Sequence, residues 1–506
     1  MFRYLFVLLC GVAFLPVIEG QPKMLEASIE DLNEWLNAGQ LSSVELVQFY
    51  LDRIEAYDQA GPSLNTIQHM NAQAYEQARA LDKERKEKGP RSLLHGIPLL
   101  VKDNYETIDA PTTAGSAIIA GHWPKQDATQ VARLREAGAI ILAKTTMHEF
   151  AYGWTTRGSA FGVTRNPYDP RRHPGGSSGG TGAAVAANFA AAGMGSDTCG
   201  SIRVPAAHNN LFGLRGTQGI SSRSGIIPLS SSRDIGGPLA RSVRDLAILL
   251  DATVGYDPKD LQTVETLGKI PTSYLENLKQ IKLHGLNIGV LTDWFGSDEQ
   301  HASVNTQIDE ALEVFRQNGA NVTDLGGPEL RALWEQIYSP FHYFVDDYDL
   351  RKDLTDYLRQ YPELPVQSFK ELVDDGRLES VVARNWRTLL DDQFESREIY
   401  LERHEAGREL RKQLLSLMHD YQLDVLVYPT ATEEAVLLNA EQGHQNCKLA
   451  AGSGMPAITV PIGFGSSGMP IGLEMLAEPW AEQKLLNYAY TLEQMKPSRR
   501  LPSQTP

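Results

Sequence analysis

The stretch Gly96-Ile97-Pro98-Leu99-Leu100-Val101 constrains the fold most. It reads as a buried strand ending at Lys102-Asp103-Asn104. Ala128 to Ala137 has the pattern of a helix, and Ala139 to Ala143 is a second apolar strand. Strand, helix and strand in this order predict a parallel pairing and an α/β fold.

The rest of the chain fits that class. Ser28-Ile29-Glu30-Asp31 resembles a capping box opening a helix to about Gly39, and Ser42-Ser43-Val44-Glu45 opens a second. A third helix runs from about Asn71 to Lys88, and Ala183 to Ala192 is an Ala-rich helix. Residues 260–440 differ in texture. Leu286 to Leu291 reads as a strand, Ser303 to Asn318 as an amphipathic helix, and Leu333 to Tyr421 as mostly helical and acidic. Strands return at Asp424 to Tyr428, Ala457 to Pro461 and Ile471 to Met475. No hinge-like linker or internal repeat separates a domain, so the helical block is expected as an insertion over the sheet.

Composition closes off other classes. With 42% hydrophobic and 22% charged residues, the 506-residue chain is neither disordered, nor collagen-like, nor a multi-span membrane protein. A net charge of −16 argues against binding phosphate backbones or anionic lipid, so no nucleic-acid partner is expected. Met1-Phe2-Arg3 and the apolar run Tyr4 to Ile18, followed by Glu19-Gly20-Gln21-Pro22, form a secretory signal-peptide pattern. Cleavage near Gly20 would leave a secreted or periplasmic protein without a stable membrane span. The mature chain would keep two of its three cysteines, Cys199 and Cys447, enough for at most one bridge. Asn321-Val322-Thr323 is a glycosylation sequon, relevant only in a eukaryotic host.

Two small-residue loops carry the chemical signal. Gly175-Gly176-Ser177-Ser178-Gly179 satisfies G-x-S-x-G, yet the nine residues before it contain three prolines and no strand. A nucleophile elbow, an anion-cradling turn and a tight packing turn all remain readings of this loop alone. No Gly-Lys-Ser/Thr follows, which excludes a Walker loop. The second loop, Gly195-Ser196-Asp197-Thr198-Cys199-Gly200-Ser201-Ile202-Arg203-Val204-Pro205, places Ser201 24 residues after Ser177. Backbone N–H groups in such a loop can form an oxyanion hole. None of the 12 histidines stands in a metal-binding pattern or in a context that links it to a serine, and His148-Glu149 lacks a second histidine. No metal or cofactor is expected. Lysine is the remaining candidate base, and on the residues alone Lys102 reads either as a desolvated base or as a surface or salt-bridged lysine. Lys102 ends an apolar strand, and burial disfavours an ammonium. A shift of about three pKa units, worth about 4 kcal/mol, would make it neutral near pH 7.

Lys102, the Gly175–Gly182 loop and the Gly195–Pro205 loop together resemble the amidase signature family in order and spacing. Flanking stretches resemble it too: His95-Gly96-Ile97-Pro98, Met147-His148-Glu149-Phe150-Ala151, Gly225-Ile226-Ile227-Pro228, Asp234 to Ser242, Gly454-Met455-Pro456-Ala457 and Pro470-Ile471-Gly472. The resemblance implies one domain over 21–506, a single large mixed sheet flanked by helices, with a variable helical region at about 260–440. It implies that Ser201 is the acylated nucleophile, Ser177 a bridging serine after a cis peptide, and Lys102 the base. Backbone N–H groups of Thr198, Cys199, Gly200 and Ser201 would form the oxyanion hole, with Ser178, Asp197 and Arg203 supporting the loops.

Two departures stand out. Cys199 occupies a position where the family usually has glycine; Cys199 as nucleophile and a Cys199–Cys447 bridge are two readings of it. Leu214-Arg215-Gly216-Thr217 stands where lysine and proline are usual. The resemblance implies an amidase acting on a small-molecule or peptide carboxamide. Alternatives are an esterase or carbamate hydrolase using the same site, the glutaminase subunit of a tRNA-dependent amidotransferase, and a noncatalytic binding module. The signal peptide argues against the amidotransferase. Aromatics Trp334, Tyr338, Phe341, Tyr343 and Phe344 are candidates for an apolar acyl site.

Overall fold

The computed structural model describes residues 23–328, 330–332, 335, 343–391, 396–443 and 446–506. Eleven strands form one mixed sheet. They are β1 (Ile67–Met70), β2 (Pro98–Lys102), β3 (Ile140–Thr145), β4 (Ala192–Asp197), β5 (Phe212–Arg215), β6 (Ile235–Ala240), β7 (Asn287–Leu291), β8 (Asn321–Leu325), β9 (Val425–Pro429), β10 (Ala457–Phe464) and β11 (Pro470–Leu476). Their spatial order is β1-β3-β2-β4-β6-β5-β10-β11-β9-β7-β8. The strand–helix–strand reading holds: β2 pairs parallel with β3, and also with β4. At the other flank β7 pairs parallel with β8 and β9, while the centre is antiparallel. Both capping boxes are present, at Ser28 and Ser42.

Two expectations shift. The Ala-rich helix spans Gly179–Ala186, so it begins inside the Gly/Ser loop and ends earlier than expected. Residues 195–197 of the second small-residue loop belong to β4 instead. Small residues make this strand because the helix lies close over it: a Cβ on Gly193 would meet Thr181 Cγ2 at 2.6 Å, and one on Gly195 would meet Ser178 Oγ at 2.8 Å. The strand expected at Leu286 to Leu291 and the helix expected at Ser303 to Asn318 are both present, so the sheet continues past the texture change near residue 260. β7, the helix Ala302–Gln317 and β8 extend the sheet, and Asn321 of the sequon lies on its outer strand.

The helices Tyr343–Leu358, Phe369–Asp375, Ser380–Thr388 and Arg397–Asp420 lie between β8 and β9 in sequence. Trp386 is fully buried there, with its ring centroid 5.3 Å from Phe150 and 4.9 Å from Phe369. Leu350, Leu354 and Val382 join Ile118, Ile119 and Met147 in the same apolar cluster. The insertion is thus anchored on the loops that follow β2 and β3, where burial of such side chains contributes about 1.5–3 kcal/mol each. Among the described residues no helix is long and apolar enough to cross a membrane. Residues 1–22, Trp334, Tyr338 and Phe341 lie outside the described residues, as do the side chains of Tyr343 and Phe344.

Candidate active site

Lys102 sits at the end of β2, a strand buried along its whole length. Its Nζ donates to Ser177 Oγ at 2.7 Å, to Ser196 Oγ at 2.9 Å and to Ser196 O at 3.3 Å. Asn104 Nδ2 reaches the same Ser196 hydroxyl at 3.0 Å. Burial pushes the Lys102 ammonium down to about 7, against the opposing pull of Asp234 and Asp197.

Ser177 follows a cis peptide bond after Gly176. Its carbonyl accepts from the His148 amide at 3.0 Å. The next amide, of Ser178, donates to Ser201 O at 3.2 Å, so the two small-residue segments are joined directly. Ser178 Oγ donates to Ser196 O at 3.2 Å and accepts from Ser196 N at 3.3 Å. Lys102, Ser177, Ser178 and Ser201 are thus brought to one place from three segments of the chain.

Asp197 holds the loop between β4 and the helix Arg203–His208. Its carboxylate accepts from Gly200 N at 2.8 Å and Ile202 N at 3.1 Å. It also accepts from Arg203 Nε at 3.1 Å and from Arg215 NH1 at 3.0 Å. Burial alone would raise this carboxyl, but the two guanidiniums hold it well below the usual carboxylate range. Arg203 is also paired with Glu474, which accepts from Tyr428 OH at 2.9 Å. Arg215, the second departure, is thereby part of the loop's support: it also grips Asp197 O, and its NH2 donates to Arg233 O at 2.8 Å.

The Gly200 N–H, one of the expected oxyanion donors, donates to Asp197 at 2.8 Å. Gly200 has φ +83°, which suits glycine, and a Cβ there would lie 2.8 Å from Cys447 Cβ. Among the described residues, the amides of Cys199 and Ser201 donate to no protein acceptor. Thr198 is anchored through its hydroxyl to Asp234 at 2.5 Å.

Cys199 and Cys447 form a disulfide with Cα atoms 5.1 Å apart, across 248 residues of sequence. Cys199 as nucleophile is therefore overturned, since its sulfur is already bonded. The bridge ties the residue two before Ser201 to the start of the helix Lys448–Ser453.

A cavity of about 460 Å³ opens over this loop, lined by Thr198, Cys199 and Ser201 on its floor. Its walls come from the 151–157 segment, the insertion (Asp347, Val381, Asn385) and residues 439–442. Trp154, which sequence reasoning missed, lines it and donates its indole N–H to Cys199 O at 2.9 Å. The Cys199–Gly200 peptide is thus held on both sides, by Trp154 and by Asp197. A Trp154→Phe variant removes that donor and keeps a ring. One such bond is worth about 0.5–1.5 kcal/mol, so kcat should fall by about two- to tenfold with KM little changed, read by steady-state kinetics. A large rise in KM alone would show that Trp154 acts only as a wall.

The Amidase family model matches residues 45–486. The chain belongs to the amidase family. It is a hydrolase of the amide C–N bond. A glutamyl-tRNA(Gln) amidotransferase subunit from Gloeothece citriformis is 34% identical over 92% of this chain and 97% of its own length. Among solved structures, native peptide amidase from Stenotrophomonas maltophilia is 33% identical, with a TM-score of 0.86 over 95% of this chain and 99% of that one. The corresponding glutamyl-tRNA(Gln) amidotransferase subunit from Thermotoga maritima is 26% identical, with a TM-score of 0.75 over 95% and 98%. The large mixed sheet flanked by helices is shared with these amidase structures.

Proposed function

We propose that this amidase cleaves carboxamides through an acyl-enzyme on Ser201. The carrying observation is the fully buried Lys102 at 2.7 Å from Ser177 Oγ. A lysine held near pH 7 is neutral in a large fraction of molecules and can accept a proton. Lys102 takes the proton of Ser177 as Ser177 takes that of Ser201. Ser201 Oγ then forms a bond to the amide carbonyl carbon. The amides of Cys199 and Ser201 face the developing oxyanion, with Thr198 beside them. As the C–N bond breaks, the proton returns through Ser177 to the leaving nitrogen. Water adds to the acyl-serine by the same route and frees the acid.

We further propose a peptide amide as substrate and an extracytoplasmic location. The higher structural overlap with peptide amidase than with the amidotransferase subunit supports the first. The apolar leader, together with a disulfide of the kind that persists in oxidising compartments, supports the second. Purified enzyme incubated with a C-terminally amidated dipeptide should release ammonia, and free glutamine should release none. Ammonia from glutamine alone would favour the glutaminase reading.

A further inference from the structure

A second, smaller cleft of about 90 Å³ adjoins the catalytic cavity. Arg233 and Gly452 line both. Its other walls carry Arg403, His404, Arg408 and Arg411 from the helix Arg397–Asp420. The geometry follows from Gly407. A Cβ there would lie 2.8 Å from Gly452 O, so the glycine lets this helix settle against the residues just before Gly454. Arg403 and Arg411 stand four residues before and after Gly407, on the same helix face, and so flank the contact. Arg411 is part-buried, donates its Nε to the carbonyl of Ser453, and is pushed down by burial. The carboxylate of Glu405 pairs with Arg408 on the exposed rim. In a chain of net charge −16, this crevice gathers four guanidiniums and an imidazole beside the substrate cavity, outnumbering the carboxylates of Glu405 and of Asp349, which accepts from the Ser232 amide at 3.1 Å.

Resting on the amidase reading above, we propose that this cleft is an anionic-group subsite: it receives a carboxylate borne by the amide substrate whose scissile bond lies at Ser201. Planar guanidiniums suit a carboxylate because they donate two parallel N–H bonds to it. The cleft has room for a carboxylate. An acidic peptide amide is the substrate class this predicts.

The test uses two amidated peptides that differ only by glutamate against glutamine upstream of the scissile amide. The wild-type enzyme should show kcat/KM about tenfold higher for the glutamate peptide, and the preference should shrink from 50 to 500 mM NaCl. Arg403→Gln and Arg408→Gln should each bring the ratio of the two kcat/KM values toward one, chiefly through KM. A wild-type ratio of one, or a ratio unchanged in both variants, would overturn the proposal. A second arm is independent of turnover: malonate should raise the Tm of the wild-type protein, less so in Arg403→Gln. Stabilisation by malonate without any substrate preference would leave an anion site unconnected to substrate and would overturn the substrate carboxylate. Absence of hydrolysis of either peptide, with malonate still stabilising the protein, would count against the catalytic reading and not against the cleft.

Discussion

Lys102→Met is expected to lower kcat/KM for amide hydrolysis by about a thousandfold, within the range that general-base removal typically causes. In the wild-type enzyme kcat/KM should rise with pH through about 7 and level off above it, because Lys102 must lose its proton to act. The variant's residual rate should lack that limb. Its stability should move the other way. Lys102 titrates near 7 in the fold and at the ordinary value of 10.5 when unfolded. Between those values the unfolded chain binds the extra proton, so stability associated with this group rises with pH across the window and its burial penalty is complete below about 7. Methionine removes that penalty. The Tm of Lys102→Met at pH 6 should therefore not fall below that of the wild type, the usual exchange between an active-site charge and stability. A large loss of Tm would mean that Lys102 is chiefly a structural bond to Ser177 and Ser196.

The second large effect concerns the bridge. Replacing Cys199 and Cys447 together by serine should lower the free energy of unfolding by about 2–4 kcal/mol, measured in urea. The long separation of the paired residues places the effect toward the upper end in the chain-entropy account. Activity should fall as well, by about tenfold in kcat, because the bridge fixes the residue two before Ser201 against the helix Lys448–Ser453. A reductant applied to the wild type should reproduce both changes. Unchanged kcat in the double variant would show that Asp197, Arg203 and Arg215 position the loop without the disulfide.

The contrast between these two features marks where the sequence is informative. Lys102 is legible only together with the two serine loops: a lysine closing the run Pro98-Leu99-Leu100-Val101 can also turn its ammonium to solvent, and the order and spacing of the three segments single it out. Helix starts at Ser28 and Ser42 are legible because capping is local. β5 and β6 do not read as strands: Phe212-Gly213-Leu214-Arg215 and Ile235-Gly236-Gly237-Pro238-Leu239-Ala240 have little strand propensity, and the central sheet enforces them. Nor is the split of the second small-residue loop between β4 and its following turn legible, since only the helix lying over Gly193 and Gly195 makes small residues necessary there. The commitment of Gly200 N–H to Asp197 needs a side-chain position. Trp154 carries no motif, and its role emerges only when its indole is placed against Cys199 O. The pairing of Cys199 with Cys447 depends on the whole sheet being assembled first.

Labelling with a serine-directed fluorophosphonate, followed by intact mass and peptide mapping, tests the central claim most directly. The relay account predicts one adduct, on Ser201, formed by the wild type and absent in Lys102→Ala. An adduct on Ser177, or one on Ser201 that forms equally fast without Lys102, would contradict it.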